Sequence, residues 1–229
     1  MPLITTPSPT VSDALETRIT VRRFLDTPVP EDTLMQIMKS ARRTPSGGNL
    51  QPWQVHVMTG QTLTDFVDYG VKYATEGNQD EPTHPAYPSP LWDPLRAWRY
   101  KLGEDMYALL GIAKDDKFGR MAQFMENMKF FRAPVGIIIT ADKRCHAPQH
   151  MDIGIYVQSL MLLAREHGLH TAPQGWWRNW PSVCEKFLDI PEEQEVIVGL
   201  SLGYGDAEEN VNNLRADRAK LSETHKFYT

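Results

Sequence analysis

The chain has 229 residues, 41% hydrophobic and 23% charged, enough for one domain with a sizeable core and inconsistent with a disordered chain. Its formal net charge of -5 excludes the basic surplus of a phosphate-tracking nucleic-acid binder, so any local arginine cluster needs a local reason. Cys145 and Cys184 lie far apart, the first residues lack the basic start and apolar run of a secretory signal, and the most apolar stretch, 153–164, is too short and interrupted to span a bilayer. The expectation is a soluble cytoplasmic protein with neither nucleic acid nor membrane as partner.

In chain order, Ser12 is placed to cap a short helix ending at Thr17, which delivers the run Arg18-Ile19-Thr20-Val21-Arg22-Arg23-Phe24. Pro30-Glu31-Asp32 opens a second helix with Leu34, Ile37, Met38 and Ala41 on one face, stopped by Thr44-Pro45-Ser46-Gly47-Gly48. Residues 53–58 alternate as a strand, and Leu63, Phe66 and Val67 predict the helix after it. From Asn78 to about Asp116 prolines interleave with Tyr87, Trp92, Trp98 and Tyr100, which predicts an ordered excursion or lid whose rings are covered. A helix around Gly119–Phe130 then leads to a buried strand, 135–140. Asp152 to Glu166 is predicted as a helix apolar around most of its circumference, central to the core or to a subunit interface. Gly168 ends it, a short strand reaches Ala172, and 195–202 has the β-branched character of a mid-sheet strand. Strands mixed with helices indicate an α+β or α/β sandwich formed by one domain over 1–229.

Two segments carry candidate chemistry. Arg18, Arg22 and Arg23 place three cations within six residues, with the Thr20 hydroxyl between them; such a set binds an anion, or else is a solvated helix end. Pro45 to Trp53 combines glycines, which let a backbone approach a ligand, with the directional groups of Ser46, Asn49 and Gln51, although an ordinary helix-to-strand turn reads the same way. Cys145, His146 and His150 do not form a metal set, because Pro148 disrupts helical presentation and no fourth ligand is adjacent. Met121, Met125 and Met128 read as core or pocket wall, and Trp176, Trp177 and Trp180 as packing or as the wall of a substrate slot. No G-x-G-x-x-G fingerprint is present.

Taken together, the arginine run and Pro45-Ser46-x-x-Asn49-x-Gln51-Pro52-Trp53 resemble the two N-terminal signatures of the flavin-dependent nitroreductase family. Ala133-Pro134-Val135, Asp152-Ile-Gly-Ile, Gly168-Leu169, Pro173-Gln174-Gly175, Gly203-Tyr204-Gly205 and Asn212-x-x-Arg215-x-x-Arg218 follow in that family's order, from about Asp13 to the C-terminus. The resemblance is greatest to bacterial reductases of nitrobenzoates and other nitroaromatics. It implies an α+β fold with a mixed central sheet flanked by helices, an intertwined homodimer, and tightly bound FMN at the subunit interface. It also implies NAD(P)H as a transient donor and a ping-pong reduction of flat, electron-poor aromatics. By the same resemblance Arg18, with Ile19 and Thr20, holds the FMN phosphate and ribityl edge, and Arg22 faces the flavin N1 and O2. Pro45, Ser46, Gly47 and Asn49 approach from the partner. After Pro173, the backbone N–H of Gln174 or Gly175 serves flavin N5 as the catalytic donor. Arg218, and Arg215 beside it, close on the phosphate, where some relatives carry a lysine–arginine pair two residues apart. Asn127 is a candidate for the pyrimidine edge, and Arg23 reads as a solvated neighbour. Dehalogenation, enone, quinone or flavin reduction on the same scaffold, and a non-catalytic flavin-binding protein, are the alternatives. The groups Glu104, Tyr107 and Lys114 match no zwitterion-binding motif.

Overall fold

The computed structural model describes residues 2–82 and 85–229; the part of the 78–116 excursion at 83–84 lies outside the described residues. Among the described residues, strands β1 (Gln54–Thr59), β2 (Val135–Asp142), β3 (His170–Gln174) and β4 (Gln194–Gly203) form a sheet of order β1-β2-β4-β3. Each long pairing is antiparallel, and the parallel component is a single bridge, Thr20 to Thr171, which lays the arginine run against β3. β4 lies inside the sheet, as its composition predicts.

Alternation along β2 separates two cores. Val135, Ile137 and Ile139 pack with Leu34 and Ile37 of α2 (Glu31–Ala41) and with Ile153, Val157 and Leu160 of α6 (Ala147–Glu166). Ile138 points the other way, into a cluster with Phe66 of α3 (Gly60–Thr75), Phe130, Trp177 and Val183 of α7 (Pro181–Leu188). A strand covered on both faces needs no polar alternation, which is why β2 reads as a continuous apolar run. Trp177 is wholly buried, stacked on Phe130 at a centroid distance of 4.9 Å, so it is core and not slot wall. Met128 is likewise buried, whereas Met121 is exposed.

Several local expectations change. Thr10, not Ser12, caps α1 (Val11–Thr17), its hydroxyl accepting from the Asp13 N–H. Both residues are acceptable caps, and tertiary placement of the arm decides between them. The helix expected over 119–130 is α5 (Lys117–Met125), followed by a 3-10 segment in which Phe130, Phe131 and Arg132 take left-handed backbone angles. Burial of both phenylalanines explains why the helix breaks there. α6 begins at Ala147, five residues before Asp152: Pro148 sits in its first turn, where proline loses no hydrogen bond, and His146 caps it. The short strand continues to Gln174, two residues beyond Ala172, and α7 was not foreseen. The excursion is ordered around α4 (Leu95–Leu109), but its rings are not covered within the chain: Tyr87, Trp92, Trp98 and Tyr100 are all about half exposed. No helix among the described residues is long and apolar enough to cross a membrane.

Candidate active site

The Thr20–Thr171 bridge, reinforced by the Val21 N–H donating to the Thr171 carbonyl at 3.2 Å, sets the arginine run alongside the segment that ends in Pro173-Gln174-Gly175. Sites 150 residues apart in sequence thereby become neighbours. Asn212, fully buried, fastens the run from the tail: its Oδ1 accepts the Arg22 N–H at 2.9 Å, and its Nδ2 donates to the Arg23 and Asp206 carbonyls, each at 2.8 Å. The sequence marks Asn212 only by its place in a motif; its role depends on a contact 190 residues away.

Arg18 and Arg218 converge. Burial and the neighbouring Arg218 charge both pull the Arg18 guanidinium below its ordinary pKa, and its Nε is buried without a hydrogen-bond partner. Burial likewise lowers Arg22, whose Nη1 donates to the Thr20 carbonyl and which lies close enough to Tyr87 for the phenol to oppose that shift. Among the described residues no carboxylate pairs with Arg18, Arg22 or Arg218. Bringing like charges together without a counterion is unfavourable, so the pair is built for an anion that the chain does not itself supply. Arg218 also borders a groove of about 760 Å³ between α4 and the tail, where Lys101 bridges Asp105 at 2.6 Å and Asp217 at 2.9 Å. The remaining members differ. Ile19 buries its side chain in the core and has only backbone to offer. Arg215 donates to the Asn212, Leu214 and Pro2 carbonyls, which orders the tail and the N-terminal arm. Arg23 is not a solvated neighbour: it pairs with Glu126 at 3.5 Å and Glu209 at 3.4 Å, because the fold packs the 126–132 segment and the tail against it.

At the other end of the site, Gln174 is buried with every polar atom of its side chain engaged. Its Nε2 donates to the Asn127 carbonyl at 2.8 Å and to Asn127 Oδ1 at 3.2 Å, and its Oε1 accepts from the buried Ser201 hydroxyl at 2.9 Å. The side chain is therefore held inside the protein.

The loop 45–51 lies elsewhere. The Gly47 N–H donates to both carboxylate oxygens of Asp152 at 3.2 Å, the Ser46 hydroxyl accepts from the Gln51 N–H, and Asn49 and Gln51 hold left-handed backbone angles. Such strain in non-glycine residues is characteristic of built ligand loops. Gly47 is thus attached to α6 at Asp152, whereas Thr17, next to Arg18, is attached at Arg165, whose Nε donates to its hydroxyl at 3.2 Å. Those anchors are thirteen positions apart on α6, about 20 Å of rise. Pro45, at the start of the loop, lines one groove with Ala14 of α1 and with Ser159 and Leu162 of α6.

The excursion's polar groups are committed to one another. Arg120 pairs bidentately with Glu104 at 2.7 and 3.1 Å and covers the Tyr107 ring at 4.1 Å, while Lys114 donates to the Tyr100 hydroxyl. No cluster of His, Cys, Asp or Glu among the described residues has metal-holding geometry.

The nitroreductase family model matches residues 15–204. The chain belongs to that family. A chloronitrobenzene nitroreductase of Comamonas testosteroni is 34% identical over 227 residues, covering 96% of this chain and 97% of that protein. A 4-nitrobenzoate reductase of Pseudomonas putida is 38% identical over 204 residues, 88% of each chain. Among solved structures, the FMN- and NADPH-dependent nitroreductase NfnB from Sphigopyxis sp. strain HMH superposes with a TM-score of 0.92 at 38% identity, covering 96% of this chain and 99% of that one. The FMN-dependent NfnB from Mycobacterium smegmatis, in complex with NADPH, gives 0.90 at 30% identity, covering 96% of this chain and 100% of that one.

Proposed function

We propose that this member of the family is an FMN-dependent NAD(P)H oxidoreductase that reduces nitroaromatic or similarly flat, electron-poor substrates, and that it works as a cytoplasmic homodimer. The observation that carries the reading is Arg18, its Nε buried without a hydrogen-bond partner, with Arg218 as its charged neighbour and no carboxylate partner among the described residues. The residues present fit FMN. Arg18, Arg218 and the Thr20 hydroxyl are cation and donor for its phosphate, and Arg22 is the fixed charge for an electron-rich ring edge. The 174–175 peptide is the donor for N5. When bound, FMN supplies hydride acceptance and donation, and the chain supplies orientation and electrostatics. The relatives named above, FMN- and NADPH-dependent or acting on nitroaromatics, support the same cofactors and substrate class.

Two observations support the dimer. The Gly47 and Thr17 anchors lie thirteen positions apart on α6, so we read Pro45, Ser46, Gly47 and Asn49 as reaching the arginine site from a second copy. The exposed surface of the single chain is 13615 Å², against about 10,600 Å² expected for a compact monomer of its 26.1 kDa. Met151 and Ile155 of α6, with Val11 and Leu15 of α1, form apolar surface for that second copy to cover. We read residues 78–116 as a lid on the same domain, tied to the tail through Lys101 and Asp217. The free thiols Cys145 and Cys184 accord with a reducing compartment.

The test is direct. The purified protein takes up FMN, shown by its visible spectrum, and under anaerobic conditions NADPH or NADH bleaches it and 4-nitrobenzoate restores it. A protein that gains no flavin spectrum on addition of FMN refutes the proposal.

A further inference from the structure

The side-chain clamp on Gln174 joins three distant parts of the chain. Asn127 comes from the 3-10 segment after α5, Ser201 from the interior strand β4, and Gln174 from the end of β3. Both partners are engaged through the atoms involved. Asn127 Oδ1 accepts from Gln174, its Nδ2 donates to the Phe124 carbonyl at 2.9 Å, and Ser201 is fully buried. The adjacent Glu126 pairs with Arg23, Lys129 and Arg132, so the same turn also grips the arginine run. Residues 126 and 127 thus connect the run that carries Arg22 to the peptide that follows Pro173.

Resting on the functional reading above, we propose that Asn127 and Ser201 are positioning residues for the N5 donor. By saturating the Gln174 amide they stop that side chain from rotating outward and fix the 174–175 peptide plane. The β3–β4 pairing ends at Gln174 opposite Gly199, so the peptide that follows leaves the ladder, and a donor misaimed by an ångström loses much of its effect on a transferring hydride. The clamp adds a restraint where the pairing stops. The role expected for Asn127 at the flavin pyrimidine edge is compatible with the clamp, because its half-exposed amide keeps a second N–H beyond the one given to Phe124.

The clamp is tested with Ser201→Ala and Asn127→Ala, alongside Ser201→Thr, which keeps the hydroxyl. In cofactor-free protein, amide hydrogen exchange at 174–176 accelerates about tenfold in the two alanine variants and stays near wild type in Ser201→Thr. In FMN-loaded protein the limiting rate of reduction at saturating NADPH falls about tenfold and the flavin midpoint potential moves, while the Kd for NADPH holds. A purely structural role would lower the melting temperature without that split between rate and affinity. Unchanged exchange at 174–176 in both alanine variants overturns the clamp, whether or not FMN binds. Wild-type protein that takes no FMN overturns the functional reading instead, and the exchange result still decides the clamp. Asn127→Ala leaves the 2.8 Å bond to the Asn127 carbonyl in place, so should Ser201→Ala fail to fold, Gln174→Met, which removes the amide itself, decides alone.

Discussion

Arg18 and Arg218 illustrate how a residue's meaning depends on what it lacks. The Arg218 charge near the half-buried Arg18 guanidinium is unfavourable, after burial itself, and a bound anion would relieve it. Arg218→Ala should therefore leave the melting temperature of the cofactor-free protein unchanged or raise it, yet weaken FMN binding about tenfold or more, as loss of a charged hydrogen bond does. A variant that lost both stability and FMN in parallel would show that Arg218 is structural. His170 makes the opposite case of a fully satisfied polar group. Its Nδ1 accepts from the Gly205 N–H, its Nε2 faces the Ile4 carbonyl, and burial next to the Arg165 and Arg215 charges lowers its pKa to about 4. Because the unfolded chain binds that proton near pH 6.5, the neutral imidazole's contribution is complete above that value and is lost as pH falls toward 4. Between pH 7 and 5 the loss is about 2 kcal/mol. Urea unfolding at the two pH values should show it, and His170→Gln should flatten the difference.

At the scale of elements, the motifs quoted from the sequence acquire packing reasons. A Cβ at Gly203 of β4 would lie 2.5 Å from Pro134 Cδ, a ring fixed to the backbone at the start of β2. That contact explains why Ala133-Pro134 and Gly203-Tyr204-Gly205 occur together in one chain. Gly203→Ala should cost about 1–3 kcal/mol by overpacking, read as a lower melting temperature with FMN affinity little changed. The helices over 31–41 and 60–75 and the strands β1, β2 and β4 were legible because their burial is one-sided or complete, which leaves a periodic or continuous apolar pattern. The break after Met125 was not, because the left-handed angles at Phe130, Phe131 and Arg132 are imposed by burial of two rings against α3 and Trp177, a demand invisible in local composition. The same is true of the excursion: its rings are about half exposed in the single chain, which its composition does not reveal.

For the whole molecule, the proposed shared site makes FMN content depend on assembly. Replacing Met151 and Ile155 by Glu places charge on that helix's apolar outer face, so sedimentation should shift from dimer to monomer and FMN content should fall with it. A monomer that kept full FMN would refute the shared site. The sequence by itself determined the family, through an ordered set of short motifs. It also determined the residue types of the site, since binding an anion in an acidic chain demands arginines and a glycine-bearing loop. Only the tertiary structure decided which groups act together. The Thr20–Thr171 bridge, the Asn212 fastening of Arg22, the Gln174 clamp and the Gly47–Asp152 bond are contacts between distant residues, and spacing along a chain carries no record of what lies across it in space.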